Sequence, residues 1–183
     1  MAVNLKHVHT ILSDLINQDR YNHSIRVAQT AAKLAKHYKF NEDDAYCCGL
    51  IHDCAKELTI SYDCYQFSPE DITLYQTFPS VWHAFVVEKV ASYHFSELSL
   101  TVIAAAKWHT TGKEAMTLLE KIIFVADFIE PQRQYGDRDR IELVAFESID
   151  QAVFEVALFK LNYLIKKNVN VYPKLLDCYN YYL

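Results

Sequence analysis

Gly49-Leu50-Ile51-His52-Asp53-Cys54-Ala55-Lys56 carries more structural information than any other stretch of this chain. Asn41 upstream can cap a helix, and Glu42, Asp43 and Asp44 suit its positive first turn. The inward face of that helix then reads Ala45, Cys48, His52 and Ala55. A histidine therefore stands at the end of an apolar stripe with an aspartate next to it. The two side chains diverge by about 100° around the helix. They can meet at one site where the helix ends, or Asp53 can bridge two sites.

Working outward, other segments repeat the pattern at helical spacing. One face of a preceding helix reads His23, Val27, Ala31, Leu34, Ala35 and Tyr38. A later one reads His83, Val86, Val87, Val90 and Ala91. The next reads Leu98, Val102, Ala105, Ala106 and His109, and stops at Gly112. Another runs through Met116, Leu119, Ile123, Ala126 and Asp127 to a stop at Pro131. Val8 to Ile16 form a first helix, and Ser68-Pro69-Glu70-Asp71 opens a short one within the weakly periodic stretch from Glu57 to Pro79. Ser148-Ile149-Asp150-Gln151 resembles a capping box for a long helix with Val153, Val156, Ala157, Leu161 and Leu164. Tyr172 to Leu183 closes the chain as a short helix.

The composition agrees with an all-α domain. Of 183 residues, 51% are hydrophobic, with only 3 Gly and 4 Pro, too few turn-formers for a sandwich or barrel. One domain spanning 1–183 is expected, with a core over about 17–167 and a helical tail over 172–183. A net charge of −5 argues against a nucleic-acid surface built on bulk positive charge. The five cysteines form no C-x-x-C pair, and read as reduced thiols in a cytoplasmic protein. The N-terminus has no signal-peptide core, and no stretch approaches the ~20 apolar residues of a membrane span.

A single histidine on an apolar face is ordinarily a hydrogen-bonded core residue. Four of them with an inward aspartate would each need a separate buried partner, whereas one shared cation satisfies the whole set. Imidazole and carboxylate donors without thiolates suit iron, manganese, nickel or zinc. Such an ion lowers the pKa of bound water towards about 7 and acts as a Lewis acid, so the set points to metal-dependent hydrolysis.

The order His…His-Asp…Asp resembles the signature of the HD-domain metal-dependent phosphohydrolases. Tyr21-Asn22-His23-Ser24-Ile25-Arg26-Val27, Gly49 to Lys56, His109-Thr110-Thr111-Gly112 and Ala126-Asp127-Phe128-Ile129-Glu130-Pro131-Gln132-Arg133 are similar to the YqeK branch. That bacterial family comprises symmetrical bis(5′-nucleosyl)-tetraphosphatases, and the similarity spans roughly Asn17 to Lys167. The resemblance implies a helical HD bundle around a buried metal centre, cleaving diadenosine tetraphosphate into two ADP. His23, His52, Asp53 and Asp127 would hold an iron ion, with manganese or another divalent metal as alternatives. His83 and His109 would complete a second metal position or contact the phosphates. Asp53 and Lys56 are the catalytic candidates. Lys56 and Arg133 look like phosphate-neutralising cations, and Thr110 like a phosphate donor or a turn cap. Substrate contacts would come from His23, Lys56, His83, His109, Thr110, Asp127 and Arg133.

The match is weaker after His83, where Phe85, Val86 and Val87 are expected to narrow the pocket. Glu130 and Arg133 are expected at the rim, beyond the Pro131 stop. Arg26 either serves the site or pairs on the surface. His7, His9, His37 and His94 lack the phase, and belong to the surface or an interface. Tyr172, Tyr179, Tyr181 and Tyr182 suit core packing or a homodimer seam, with stacking on a base as the sharper reading. Two other functions fit the same residues. One is a different HD phosphohydrolase acting on nucleoside monophosphates or a signalling nucleotide, the other a non-catalytic nucleotide sensor that uses metal only to bind.

Overall fold

The computed structural model describes residues 3–61, 63–134 and 136–183. Among them the chain forms ten α-helices, one 3-10 turn and no strand. In order these are α1 (Leu5–Leu15), α2 (Gln18–His37), α3 (Glu42–Ile51), the turn Asp63–Tyr65, α4 (Pro69–Thr77), α5 (Pro79–His94) and α6 (Leu100–Ala106). They continue as α7 (Leu118–Ile129), α8 (Arg138–Glu147), α9 (Ile149–Lys166) and α10 (Pro173–Tyr182). None is long and apolar enough to cross a membrane.

The helix starts follow local chemistry. Asn41 accepts from the backbone of Asp43 and Asp44, Ser68 and Asp71 complete a capping box, and Thr117 and Glu120 complete another at the head of α7. Ser148 accepts from Gln151 N at the head of α9. Helix α7 is apolar nearly all round, as a central helix must be. Ile122, Ile123, Phe124, Val125 and Ala126 are fully buried, each large side chain contributing about 1.5–3 kcal/mol. Helices α2, α3, α6, α8 and α9 pack around it, and α10 lies on α9. Arg138 caps the end of α7 by donating to Ile129 O at 2.9 Å.

Helices α2 and α3 make the tightest crossing. A Cβ on Gly49 would stand 2.6 Å from Ala28 Cα, so only glycine allows this backbone approach. That contact brings His23 of α2 and His52, the residue just past α3, to the same place. Beyond both α3 and α6 the winding tightens. Cys54 N bonds to Ile51 O at 3.0 Å and Lys56 N to Asp53 O at 2.9 Å. Lys107 N likewise bonds to Ala104 O at 3.3 Å and His109 N to Ala106 O at 3.5 Å. These i→i+3 turns set successive side chains about 120° apart rather than about 100°. The helix bearing His109, expected to run regularly to Gly112, thus ends its α-helical part at Ala106, and His109 comes from the turn. Gly112, at φ +61°, lets the chain leave in the left-handed region.

Candidate metal centre and cleft

Five structural elements converge on one buried point. His23 comes from α2, His52 and Asp53 from the turn after α3, His83 from α5, His109 from the turn after α6, and Asp127 from α7. His23 Nε2 lies 3.1 Å from Asp127 Oδ1 and 3.8 Å from Asp53 Oδ2, and His52 Nε2 lies 3.5 Å from that same Oδ2. The other carboxylate oxygen of Asp53, Oδ1, lies 3.3 Å from Nε2 of both His83 and His109. Asp53 thus faces two ligand groups with its two oxygens: His23 and His52 on one side, His83 and His109 on the other. Ligands held at about 2.0–2.2 Å from one ion lie within about twice that of each other, and the donor atoms of each group lie within 4.8 Å of one another, close to that limit.

The outer nitrogens fix the rings. His52 Nδ1 donates to Gly49 O at 2.7 Å, His109 Nδ1 to Ala106 O at 2.8 Å, and His23 Nδ1 to Glu130 Oε1 at 3.2 Å. Each bond places the proton on Nδ1 and leaves an Nε2 lone pair facing the centre, the usual support of a metal-binding histidine. His52 Nε2 and Asp53 Oδ1 are buried without any hydrogen-bond partner. Such orphaned acceptors are costly in a protein interior, and a cation among them removes the cost. The donor set therefore fits a divalent metal ion.

The charge states suit that purpose. Burial acts to raise the Asp53 carboxyl, but the facing His52, His109 and His83 outweigh it and hold the group well below the usual range. Asp127 is likewise held well below its ordinary value, with His23 and Arg133 overcoming burial. Burial lowers His83 to about 4, and it lowers His109 too. Ionised carboxylates beside neutral imidazoles are the forms that bind metal; His23 departs from this, since burial acts to lower it but its bonds to Asp127 and Glu130 outweigh burial and raise it.

A cleft of about 420 Å³ opens over the centre. It is lined by Asp53, His109 and Asp127, by the cations Arg20, Lys56, Arg133 and Lys160, and by Val81, Tyr163, Leu164 and Tyr172. Lys56 lines the cleft, with Nζ 3.0 Å from His83 Nε2. Thr110 lines the cleft with Oγ1 2.9 Å from His109 Nε2, whereas Thr111 is buried and closes the turn by donating to Gly112 O. Arg133 sits deeper than the rim expected of it, donating to Asp127 through both Oδ1 and the backbone carbonyl.

Two further expectations need correction, and one open alternative is decided. Glu130 is not at the rim but 2% exposed, because it accepts from His23, Arg26 and Gln132 N beneath the site. Arg26 accordingly pairs inward with Glu130, not on the surface. Phe85, Val86 and Val87 do not narrow the cleft. Both valines face the core, and Phe85 packs on Trp108 and against the side of Tyr172. Among the described tyrosines, Tyr172 and Tyr163 line the cleft; Tyr179 stacks on Phe154, Tyr182 accepts from Met116 N, and Tyr181 is exposed. His7 pairs with Glu97, while His9 and His94 bond tyrosines outside the cleft.

Sequence reasoning missed two cations. Arg20 donates to Asp53 Oδ2 at 2.8 Å, and its position one turn before His23 on α2 was the available signal. Lys160 lies four residues after Val156 and three after Ala157, a cation in the phase of the apolar stripe of α9.

Known proteins are similar to this chain. The HD domain matches residues 20–131. A Staphylococcus aureus protein named bis(5′-nucleosyl)-tetraphosphatase, symmetrical, is 33% identical over 98% of this chain and 95% of its own length. A Bacillus subtilis protein of the same name is 29% identical over 91% of this chain and 90% of its own. A crystal structure from Clostridium acetobutylicum, described as a predicted HD superfamily hydrolase involved in NAD metabolism, superposes with a TM-score of 0.83 at 28% identity. It covers 100% of this chain and 98% of that one. The chain belongs to the HD-domain family, in the branch of the symmetrical bis(5′-nucleosyl)-tetraphosphatases.

Proposed function

We propose that this chain hydrolyses dinucleoside tetraphosphates symmetrically, converting diadenosine tetraphosphate and water into two ADP. The observation that carries this reading is the pair of orphaned acceptors, His52 Nε2 and Asp53 Oδ1, inside a His/Asp cluster that opens into a cation-lined cleft. The names of the relatives supply the substrate class.

His23, His52, Asp53 and Asp127 would hold one cation, iron by preference. His83 and His109, sharing Asp53, would hold a second or contact phosphate. A divalent cation there lowers the pKa of water and polarises a phosphoryl oxygen. In the reaction a water oxygen bonds to one inner phosphorus, and the central P–O–P bridge breaks on the opposite side. The leaving diphosphate carries away the negative charge. Lys56 and Arg133, both lining the cleft, would neutralise that developing charge, and fixed charges at such points accelerate phosphoryl transfer. Thr110 is a further hydrogen-bond donor in the cleft. We place the reaction in the cytosol, where free cysteines stay reduced.

A turnover panel on protein loaded anaerobically with iron, manganese or zinc tests the reading. Diadenosine tetraphosphate should turn over at least about tenfold more efficiently than nucleoside monophosphates or cyclic dinucleotides. Preference for a monophosphate would assign a different phosphohydrolase, and tight binding without turnover under any metal would assign a sensor.

A further inference from the structure

Lys160 is a cation in the apolar phase of α9, between Ala157 and Leu161. Its Nζ donates to His109 O at 3.1 Å and to Thr110 O at 3.0 Å, and lies 4.2 Å from the centre of the Phe124 ring. Among the described residues no carboxylate lies within 4.0 Å of that nitrogen. Asp127, whose charge acts on it, is engaged by Arg133. Burial presses the Lys160 pKa down to about 8, as befits a cation lacking a close counter-charge. A packed cation without an acid partner is costly, and a solvated alternative is open to any surface lysine.

An ammonium has three N–H groups. Two go to the carbonyls, and the side chain lines the cleft that Arg20, Lys56 and Arg133 also line. We infer that Lys160 is a phosphate-binding residue, whose missing counter-charge is an anionic oxygen of the substrate. Because the same ammonium grips the carbonyls of His109 and Thr110, an arriving phosphate also steadies the turn that carries His109. This rests on the phosphohydrolase reading of the cleft, and it adds a contact point away from Lys56 and Arg133.

Two substitutions separate anion binding from mere support. Lys160→Gln, one bond shorter, keeps two N–H groups for the carbonyls and drops the charge. Lys160→Met drops both. Binding of ADP and of inorganic pyrophosphate to the metal-loaded proteins is measured by calorimetry, with metal content and melting temperature recorded alongside. Both variants should bind both ligands about tenfold more weakly or worse, as expected for loss of a charge-assisted bond, while the Gln variant keeps its metal and its melting temperature. Wild-type affinity in the Gln variant would reduce Lys160 to a structural support and overturn the inference. Should a variant fail to fold, the wild-type protein decides. Acetylation of Lys160 by acetic anhydride, followed by peptide mass spectrometry, should slow at least about fivefold with saturating pyrophosphate, and an unchanged rate would overturn the inference. Neither readout needs turnover, so a chain that binds these anions yet fails to cleave diadenosine tetraphosphate would lose the proposed reaction and keep the Lys160 assignment.

Discussion

Replacing Glu130 by Gln tests the support beneath the metal centre. The carboxylate accepts from His23 Nδ1 at 3.2 Å, from Arg26 Nε at 2.6 Å and from Gln132 N at 2.9 Å. Burial acts to raise its pKa, but these bonds outweigh it and bring the group from 4.5 to about 2. A difference of that size corresponds to at most about 3 kcal/mol of stability at pH 7, taking about 1.36 kcal/mol per unit. The unfolded carboxyl protonates near 4.5 and the folded one only near 2, so the contribution is complete above that window and declines as pH falls through it. By pH 3 only about 1.4 kcal/mol remains. A Gln amide keeps the volume but turns N–H groups towards other donors. Denaturant unfolding of metal-free wild-type and variant protein should therefore show a penalty near 3 kcal/mol at pH 7, shrinking by about half at pH 3. Groups other than His23, whose pKa Glu130 itself helps to raise, cancel in the difference. A penalty of the same size at both pH values would refute the reasoning, because it would mean that Glu130 acts by packing and not as an ionised acceptor.

Asp53→Ala should abolish activity and strip the metal while the far-ultraviolet dichroism stays helical; full metal content by elemental analysis would contradict its bridging place. Lys56→Ala should keep the metal and lose about 10- to 100-fold in kcat/KM, the loss expected when one charge-stabilising group facing the phosphates is removed. Arg133→Lys should cost more on a tetraphosphate than on a small chromogenic phosphodiester, since Lys cannot reproduce the two-pronged grip of a guanidinium. Equal losses on the two substrates would limit Arg133 to bracing Asp127. Gly49→Ala forces backbone apart at the α2–α3 crossing, and should cost about 1–3 kcal/mol or more in unfolding experiments.

The clustered His and Asp positions were legible because each interrupts an apolar stripe at the right phase, and a polar group there demands a partner. His23, His83 and Asp127 needed nothing beyond periodicity, and the caps at Asn41 and Ser68 were readable as single residues. Tertiary pairings were not. Glu130 follows the last turn of α7 in a segment that looks like a surface exit, and only the proximity of α2 shows that His23 and Arg26 draw its carboxylate inward. Helix α8 escaped because only Ile141 and Ala145 are buried, which leaves no stripe to count. The i→i+3 tightening after α3 and α6 is likewise invisible in residue types, since it depends on where the neighbouring helices hold the chain. Lys160 was readable by phase, but a lone lysine in a long helix carries no partner in the sequence to give it meaning.

Product analysis in ¹⁸O-labelled water tests the central claim most directly. Metal-loaded protein is incubated with diadenosine tetraphosphate, and the nucleotides are separated and weighed by mass spectrometry. Attack at an inner phosphorus predicts ADP as the only product, with one ¹⁸O in the terminal phosphate of one ADP for each substrate consumed, and no turnover by the Asp53→Ala protein. AMP together with ATP, or ADP formed at an undiminished rate without Asp53, would contradict it.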